Sequence, residues 1–417
     1  MKTNIWIMNH YASGMYFDHG GRHYNFAKYL RRAGYAPVIF SANSKHGTAE
    51  RFLETDALWE ERIAEEIDTP FVFVRARTYT CNGKQRVLNM IDFYRNVKKA
   101  AKEYAAQHGK PDVIYASSVH PLTLVAGIQL AKQFGVKCVC EVRDLWPESI
   151  VAYSSRFTKN NPLIKILYRG EKWIYKKADA VVFTMEGGYD YIVEQGWGKE
   201  IPRSKVHHIN NGVDLELFDY NREHFRVEDP ELDDPKVFKV IYTGSIRRVN
   251  NLGLLLDAAK CVKDPRVKLL IWGDGDEREA LERRVRDEKI ANVEFKGRVE
   301  KKYVPSIVSR SDLNLVHWEQ APLLKYGASY NKLFEYMAAG RPIFATVCPG
   351  YSIWGRYDCG RDTEDTRPEP LARELEKMAG LPPMELSRLG ENAREGSRDY
   401  DFRVLTQKLL NVIGEIE

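Results

Sequence analysis

Short apolar runs alternate with amphipathic stretches along the whole chain, and this alternation is the tightest constraint on its fold. Asn4–Met8, Ala36–Ser41, Phe71–Val74, Asp112–Tyr115, Val136–Val142 and Ala180–Thr184 read as strands. Between them lie helical faces such as Tyr24, Phe26, Ala27, Leu30 and Ala33. The pattern restarts at Val237–Tyr242 and runs on through Lys268–Gly273, Asn292–Arg298, Asp312–Val316 and Ile343–Val347. Repeated strand, turn and helix specify α/β architecture. With 417 residues, the length prior gives two domains of about 200 each. Leu215 to Pro235 is acidic and polar and reads as the linker between them. Arg51 to Asp68 is charged and reads as helical, and a further helix is expected from Phe93 to Gln107.

The stretch Tyr326–Ile343 carries the most chemistry. Gly327, Ala328 and Ser329 are small and let backbone approach a ligand closely. Ser329 or Asn331 is placed to cap a helix whose core face is Leu333, Phe334, Met337 and Ala338. Asn331, Lys332 and Glu335 gather at its first turn, where free N–H groups and the helix dipole favour a phosphate. Glu335 is then set to accept hydrogen bonds from ribose hydroxyls. An ordinary amphipathic helix with a solvated Glu is the plainer alternative. Three other glycine turns follow strands: Gly20-Gly21, Gly244 with Arg247 and Arg248, and Gly273-Asp-Gly275. Arginine grips phosphate oxygens bidentately and keeps its charge at neutral pH. Beyond the strand ending at Val142 come Arg143 and Asp144, either a local ion pair or acceptor-site chemistry.

The Tyr326–Ile343 stretch resembles the donor-site segment of GT-B glycosyltransferases, specifically the retaining family four that includes bacterial polysaccharide and lipopolysaccharide enzymes. That group has two acidic residues eight positions apart. Glu335 matches the second, while Gly327 stands at the first, leaving sugar recognition to the loop's N–H groups. Related enzymes carry a His-Asp pair where this chain has Arg143 and Asp144. They also place an Arg after the second-half glycine and a Lys shortly beyond. Ser245 and Asn250 stand there, so the diphosphate role passes to Arg247 and Arg248.

The resemblance implies a GT-B fold, two Rossmann-like doubly wound domains facing a central cleft. It sets an acceptor domain at 1–214, a linker at 215–236, a nucleotide-sugar domain at 237–395, and a tail at 396–417 that packs back on the first domain. It implies a donor site drawing on Gly20 and Gly21, on Gly244, Ser245, Arg247, Arg248 and Asn250, on Gly273 and Arg298, and on Gly327, Ala328, Ser329, Asn331, Lys332, Leu333 and Glu335. His120, Arg143 and Asp144 would serve the acceptor, and Arg248 the departing phosphate. The expected reaction is transfer, with retention, from a nucleotide-diphosphate sugar, by family habit a UDP-sugar. The expected acceptor is a glycan or a polyprenyl-diphosphate-linked glycan. No cofactor and no metal are expected, since no Asp-x-Asp motif sits in a suitable loop. A GT-B nucleotide-sugar epimerase and a non-catalytic nucleotide-sugar-binding homologue stay open as alternatives.

Composition narrows the setting. A net charge of +5 suits an anionic ligand or membrane surface and does not demand nucleic acid. Six scattered cysteines show no zinc or disulfide spacing, which favours a reducing cytoplasm. No signal peptide and no membrane span are read. Lys159 to Lys177 sets six basic residues against Glu171 among Leu163, Ile166 and Trp173. That pattern fits either a core helix with a wet basic side or peripheral contact with the inner face of an anionic membrane.

Overall fold

The computed structural model describes residues 3–118, 120–153 and 157–416, and statements of absence below concern these residues. The chain divides into two compact units. One runs to Asn210 and resumes at Phe402, and the other spans Asn211–Asp401.

The first unit holds strands β1 (Asn4–Met8), β2 (Ala36–Ala42), β3 (Trp59–Ala64), β4 (Thr69–Val74), β5 (Val113–Ser117), β6 (Lys137–Val142), β7 (Ala180–Phe183) and β8 (Val206–His208). Their order is β3-β4-β2-β1-β5-β6-β7-β8. All neighbours pair in parallel except β3 with β4. Ile5, Trp6, Ile7 and Met8 are all fully buried, as a central strand covered on both faces requires. The winding reverses between β1 and β5, which is the topological switch point.

The second unit holds β9 (Phe238–Thr243), β10 (Val267–Trp272), β11 (Val293–Gly297), β12 (Leu313–Val316), β13 (Ile343–Ala345) and β14 (Gly360–Asp362). They form a parallel sheet ordered β11-β10-β9-β12-β13-β14, with its switch point between β9 and β12. Val240 and Tyr242 face one core, with Leu255 and Leu256. Ile241, between them, faces the other, with Leu333, Phe334 and Met337. This period of two puts helices on both faces.

Four expectations change. The Arg51–Asp68 stretch forms no α-helix: it contains β3, an antiparallel edge strand whose Glu60 and Arg62 sit opposite Phe73 and Phe71, and a single 3-10 turn at Glu65–Ile67. An edge tolerates such charges because one side is solvated. The helix expected from Phe93 starts at Lys84, directly after Gly83, and runs to His108. The 215–236 segment is not a free linker, and the second unit begins at Asn211 rather than 237. Asp214, just ahead of the segment, caps Leu215–His224, and within it Asp229 caps Pro230–Asp233. Asp229 and Glu231 also bind Lys296 Nζ at 2.9 and 2.7 Å, while Phe218 and Leu232 enter the core. Finally, the second unit extends past 395 to Asp401, and only Phe402–Ile416 joins the first unit, through Phe402, Leu405, Leu409, Val412 and Ile413.

Candidate functional site

Each sheet gathers expected site residues at the carboxyl ends of the strands flanking its switch point. In the second unit, Gly244 follows β9 at φ +144°, and Gly273 follows β10 at φ +151°. The Gly244 N–H donates to Trp272 O at 2.9 Å, and the Ile246 N–H to Asp274 O at 2.9 Å. A Cβ on Gly273 would lie 1.7 Å from the Gly244 carbonyl oxygen. The two glycine loops therefore interlock backbone against backbone, a packing open only to glycine.

Ser245 Oγ donates to Asn250 Oδ1 at 2.9 Å, and the Arg247 N–H approaches the same oxygen at 3.3 Å. Asn250 is buried. It braces the loop instead of presenting its amide oxygen to a ligand. Arg247 and Arg248 are exposed, and neither guanidinium is in an ion pair among the described residues. Arg248 lines an open depression with Val249, Asn251 and Glu319. Arg298 is exposed past β11, a sheet edge, and is tied to the loops only through the bond from the Gly273 N–H to Gly297 O at 2.9 Å.

Gly327 adopts φ +93°, and its N–H donates to Leu324 O at 2.9 Å. Ala328 is half-buried against the core. Ser329 Oγ accepts from the Asn211 N–H at 3.2 Å, and Ser329 O accepts from Asn211 Nδ2 at 3.0 Å. Neither Ser329 nor Asn331 caps the helix Asn331–Ala338; its N-cap is Tyr330, without a side-chain bond. Without that cap the Asn331 and Lys332 amides have no hydrogen-bond partner among the described residues, while the Leu333 N–H donates to Tyr330 O at 3.2 Å. Asn331 is exposed there, whereas Leu333 is buried in the core and presents no side chain to a ligand. Glu335 is partly exposed, with Lys301 Nζ 4.0 Å from its carboxylate.

Lys332 points back toward the sheet. Its Nζ lies 3.8 Å from the centre of the Tyr242 ring. It would lie 2.7 Å from a Cβ at Gly244. The side chain is partly exposed, but Nζ itself is buried without a hydrogen-bond partner. Burial lowers its pKa to about 7, with Glu335 opposing.

Three neighbours escaped the sequence reading. Tyr336 OH accepts from the Thr243 N–H at 2.9 Å, stitching the helix to the end of β9. Tyr242 OH donates to Ser245 O at 3.0 Å. His317, just past β12, donates from Nε2 to Asn251 O at 3.1 Å and accepts at Nδ1 from Thr346 Oγ1 at 2.7 Å. Burial lowers its pKa to about 4. Its position at the end of a switch-point strand was the available signal.

In the first unit, His10 follows β1 and His120 follows β5. His10 Nδ1 and His120 Nε2 are 2.7 Å apart. The His10 ring stacks on Phe93 at 4.3 Å. Arg143 is fixed by its N–H, which donates to Ser118 Oγ at 3.0 Å, so the ends of β5 and β6 are joined. Asp144 reaches solvent, although crowding around its carboxyl raises its pKa, with Arg143 and Arg86 opposing. Gly21, at φ +101°, precedes the helix Arg22–Arg32, and the Gly20 N–H donates to Met15 O at 3.2 Å.

The first turn of that helix faces inward. Arg22 Nε donates to Glu141 Oε2 at 2.6 Å, His23 Nε2 lies 3.1 Å from Glu141 Oε1, and Ser117 Oγ donates to Oε1 at 2.7 Å. Tyr115 OH completes the shell. Burial alone would raise the Glu141 pKa, but Arg22 and His23 hold it well below the carboxylate range. Arg22 also donates to the carbonyls of Ile209 and Asn210, at 2.8 and 2.5 Å.

The sequence pattern of Glycosyltransferase Family 4 matches residues 22–217. That of Glycosyl transferases group 1 matches residues 237–379. One curated relative, TuaH of Bacillus subtilis (strain 168), is provisionally assigned as a teichuronic acid biosynthesis glycosyltransferase. It is 24% identical over 290 residues, a span of 66% of either chain. Among solved structures, sucrose-phosphate synthase from Thermosynechococcus elongatus superposes with a TM-score of 0.72, at 19% identity over 99% of both chains. HepE of Anabaena in complex with UDP superposes at 0.67, with 15% identity over the whole of both chains. HepE in complex with UDP-glucose gives 0.65, with 15% identity over 99% of both.

Proposed function

We propose, for a chain that belongs to Glycosyltransferase Family 4 over residues 22–217 and to Glycosyl transferases group 1 over 237–379 and has the GT-B fold, that it moves a sugar with retention from a UDP-sugar to a glycan or polyprenyl-diphosphate-linked acceptor of a bacterial surface polysaccharide. The observation that carries this reading is the second unit's switch point. There an interlocked glycine loop, an uncapped helix start, two unpaired arginines and a buried amine converge on the ends of β9 and β12. Backbone amides and fixed cations are the means of stabilising a departing diphosphate. Glu335 receives the ribose hydroxyls. The leaving phosphate assists the incoming hydroxyl on the same face of the sugar, and His120, Arg143 and Asp144 orient that hydroxyl. The UDP and UDP-glucose of the HepE structures and the polysaccharide role assigned to TuaH support the choice of donor and acceptor class.

The test is a UDP-sugar panel with and without lipid-linked glycan acceptors, with the product's anomeric configuration read by NMR. Acceptor-dependent release of UDP with retention, unchanged by chelators, is the expected result. Free altered sugar without an acceptor would identify an epimerase. Binding without turnover would identify a non-catalytic homologue.

Peripheral membrane contact is a second part of this reading. Leu163, Ile166 and Trp173 are 54%, 59% and 39% exposed on the helix Pro162–Lys177, beside exposed Lys165, Arg169, Lys176 and Lys177. Apolar side chains flanked by lysines suit an anionic bilayer surface. No helix among the described residues is long and apolar enough to cross a membrane. Flotation with phosphatidylglycerol vesicles, lost when all three apolar residues become Gln, is the expected result.

A further inference from the structure

Lys332 is a cationic residue whose ammonium meets one aromatic ring face but no hydrogen-bond acceptor among the described residues. Its Nζ is buried, has no hydrogen-bond partner among the described residues, and rests over the face of Tyr242 at 3.8 Å. The neighbouring polar atoms are already engaged. Tyr242 OH is spent on Ser245 O, and Tyr336 OH on Thr243. His317, on the adjacent strand end, is bonded at both ring nitrogens and stays neutral. Glu335, one turn along the same helix, is the only acid that acts on Lys332, and it is shared with Lys301 at 4.0 Å. The absent side chain of Gly244 leaves the amine looking into the loop, since a Cβ there would approach Nζ to 2.7 Å.

We propose that Lys332 is an amine only partly charged in the free protein, and that an anionic diphosphate seated on the Gly244 loop draws up to one proton from solvent onto Nζ. The proposal rests on the donor-site reading above and adds to it a coupling between donor binding and proton uptake. The balance is simple: a buffer acid gives its proton to the neutral amine, the ammonium pairs with a phosphate oxygen, and no covalent bond of the donor changes. The lowered basicity of Lys332 agrees with this geometry. A preformed cation would hold small anions non-selectively, whereas an amine fully charged only on demand favours a ligand with enough negative charge to supply the driving force.

Calorimetric titration with UDP at pH 8, where its phosphates are fully ionised, tests the proposal in two buffers of different ionisation enthalpy. The expected result is uptake approaching one proton per UDP. In Lys332→Met the uptake vanishes and affinity falls about tenfold or more. Lys332→Arg, with a fixed charge, is expected to bind UDP without taking up a proton. Without nucleotide, Lys332→Met is expected to melt above the parent, because a buried amine has been replaced by a thioether. UDP binding with no buffer-dependent heat, or uptake that persists in Lys332→Met, overturns the proposal alone. Failure of the parent to bind any uridine nucleotide overturns the donor-site reading together with it.

Discussion

His10 Nδ1 lies 2.7 Å from His120 Nε2 across the point where the first sheet reverses its winding. One ring must donate and the other accept, so protonating both would destroy the bond. Burial drives the His120 pKa down to about 3 and that of His10 well below its usual value. The folded pair thus stays neutral where an unfolded histidine, near 6.5, takes a proton. Stability is therefore lost as pH falls below that value. Urea unfolding at pH 7 and pH 5 checks this. His120→Asn should lose about 1–2 kcal/mol less than the parent over that interval.

Gly273→Ala places a methyl 1.7 Å from the Gly244 carbonyl oxygen, and the contact is with backbone that cannot rotate away. It also forces an L side chain to φ +151°. The expected loss is about 1–3 kcal/mol of stability together with weakened UDP binding. Gly170→Ala, in a helix with nothing within 4 Å of the new methyl, is the control. It should gain about 0.5–1 kcal/mol.

Arg247→Ala combined with Arg248→Ala removes two exposed guanidiniums that take part in no ion pair among the described residues. The melting temperature should stay within about a degree, as for surface changes generally. UDP affinity should fall about tenfold or more, as lost charge-assisted phosphate bonds imply. Unchanged UDP binding by calorimetry would reject the phosphate role of the pair.

Glu171 is buried and accepts from Tyr175 OH and Tyr191 OH, both at 2.6 Å. Burial raises its pKa to about 8, against 4.5 for an ordinary glutamate. The folded state then holds the proton between those values, and stability declines as pH climbs through that window. Glu171→Gln, which never ionises, should melt above the parent at pH 9, with the gap closing toward pH 5. A difference of about 1–3 kcal/mol at the alkaline end is expected.

The parallel strands were legible because each is a short, nearly continuous apolar run between turn residues. The glycine loops were legible because Gly244 and Gly273 directly follow such runs. What stayed hidden depends on partners distant in sequence. The Leu215–His224 helix looked like polar linker because Asp214 caps it and its Asp219 pairs with Arg394, far along the chain. β3 looked helical because its charges make sense only beside β4. Leu333 was expected both in the core face and at the ligand, and its burial assigns it to the core. Tyr336 and His317 gained importance only when the sheet brought Thr243 and Asn251 to them.

The helix Phe402–Ile416 completes a core that begins at Ile5. During synthesis, the second unit can finish its sheet as soon as its own residues leave the ribosome. The first emerges earliest yet must wait, with Phe26 lacking its Phe402 neighbour, until Phe402–Ile416 is translated. Ribosomes stalled or cut short near residue 400 would thus release a folded rear half attached to an incomplete front half, a ready substrate for chaperones and proteases.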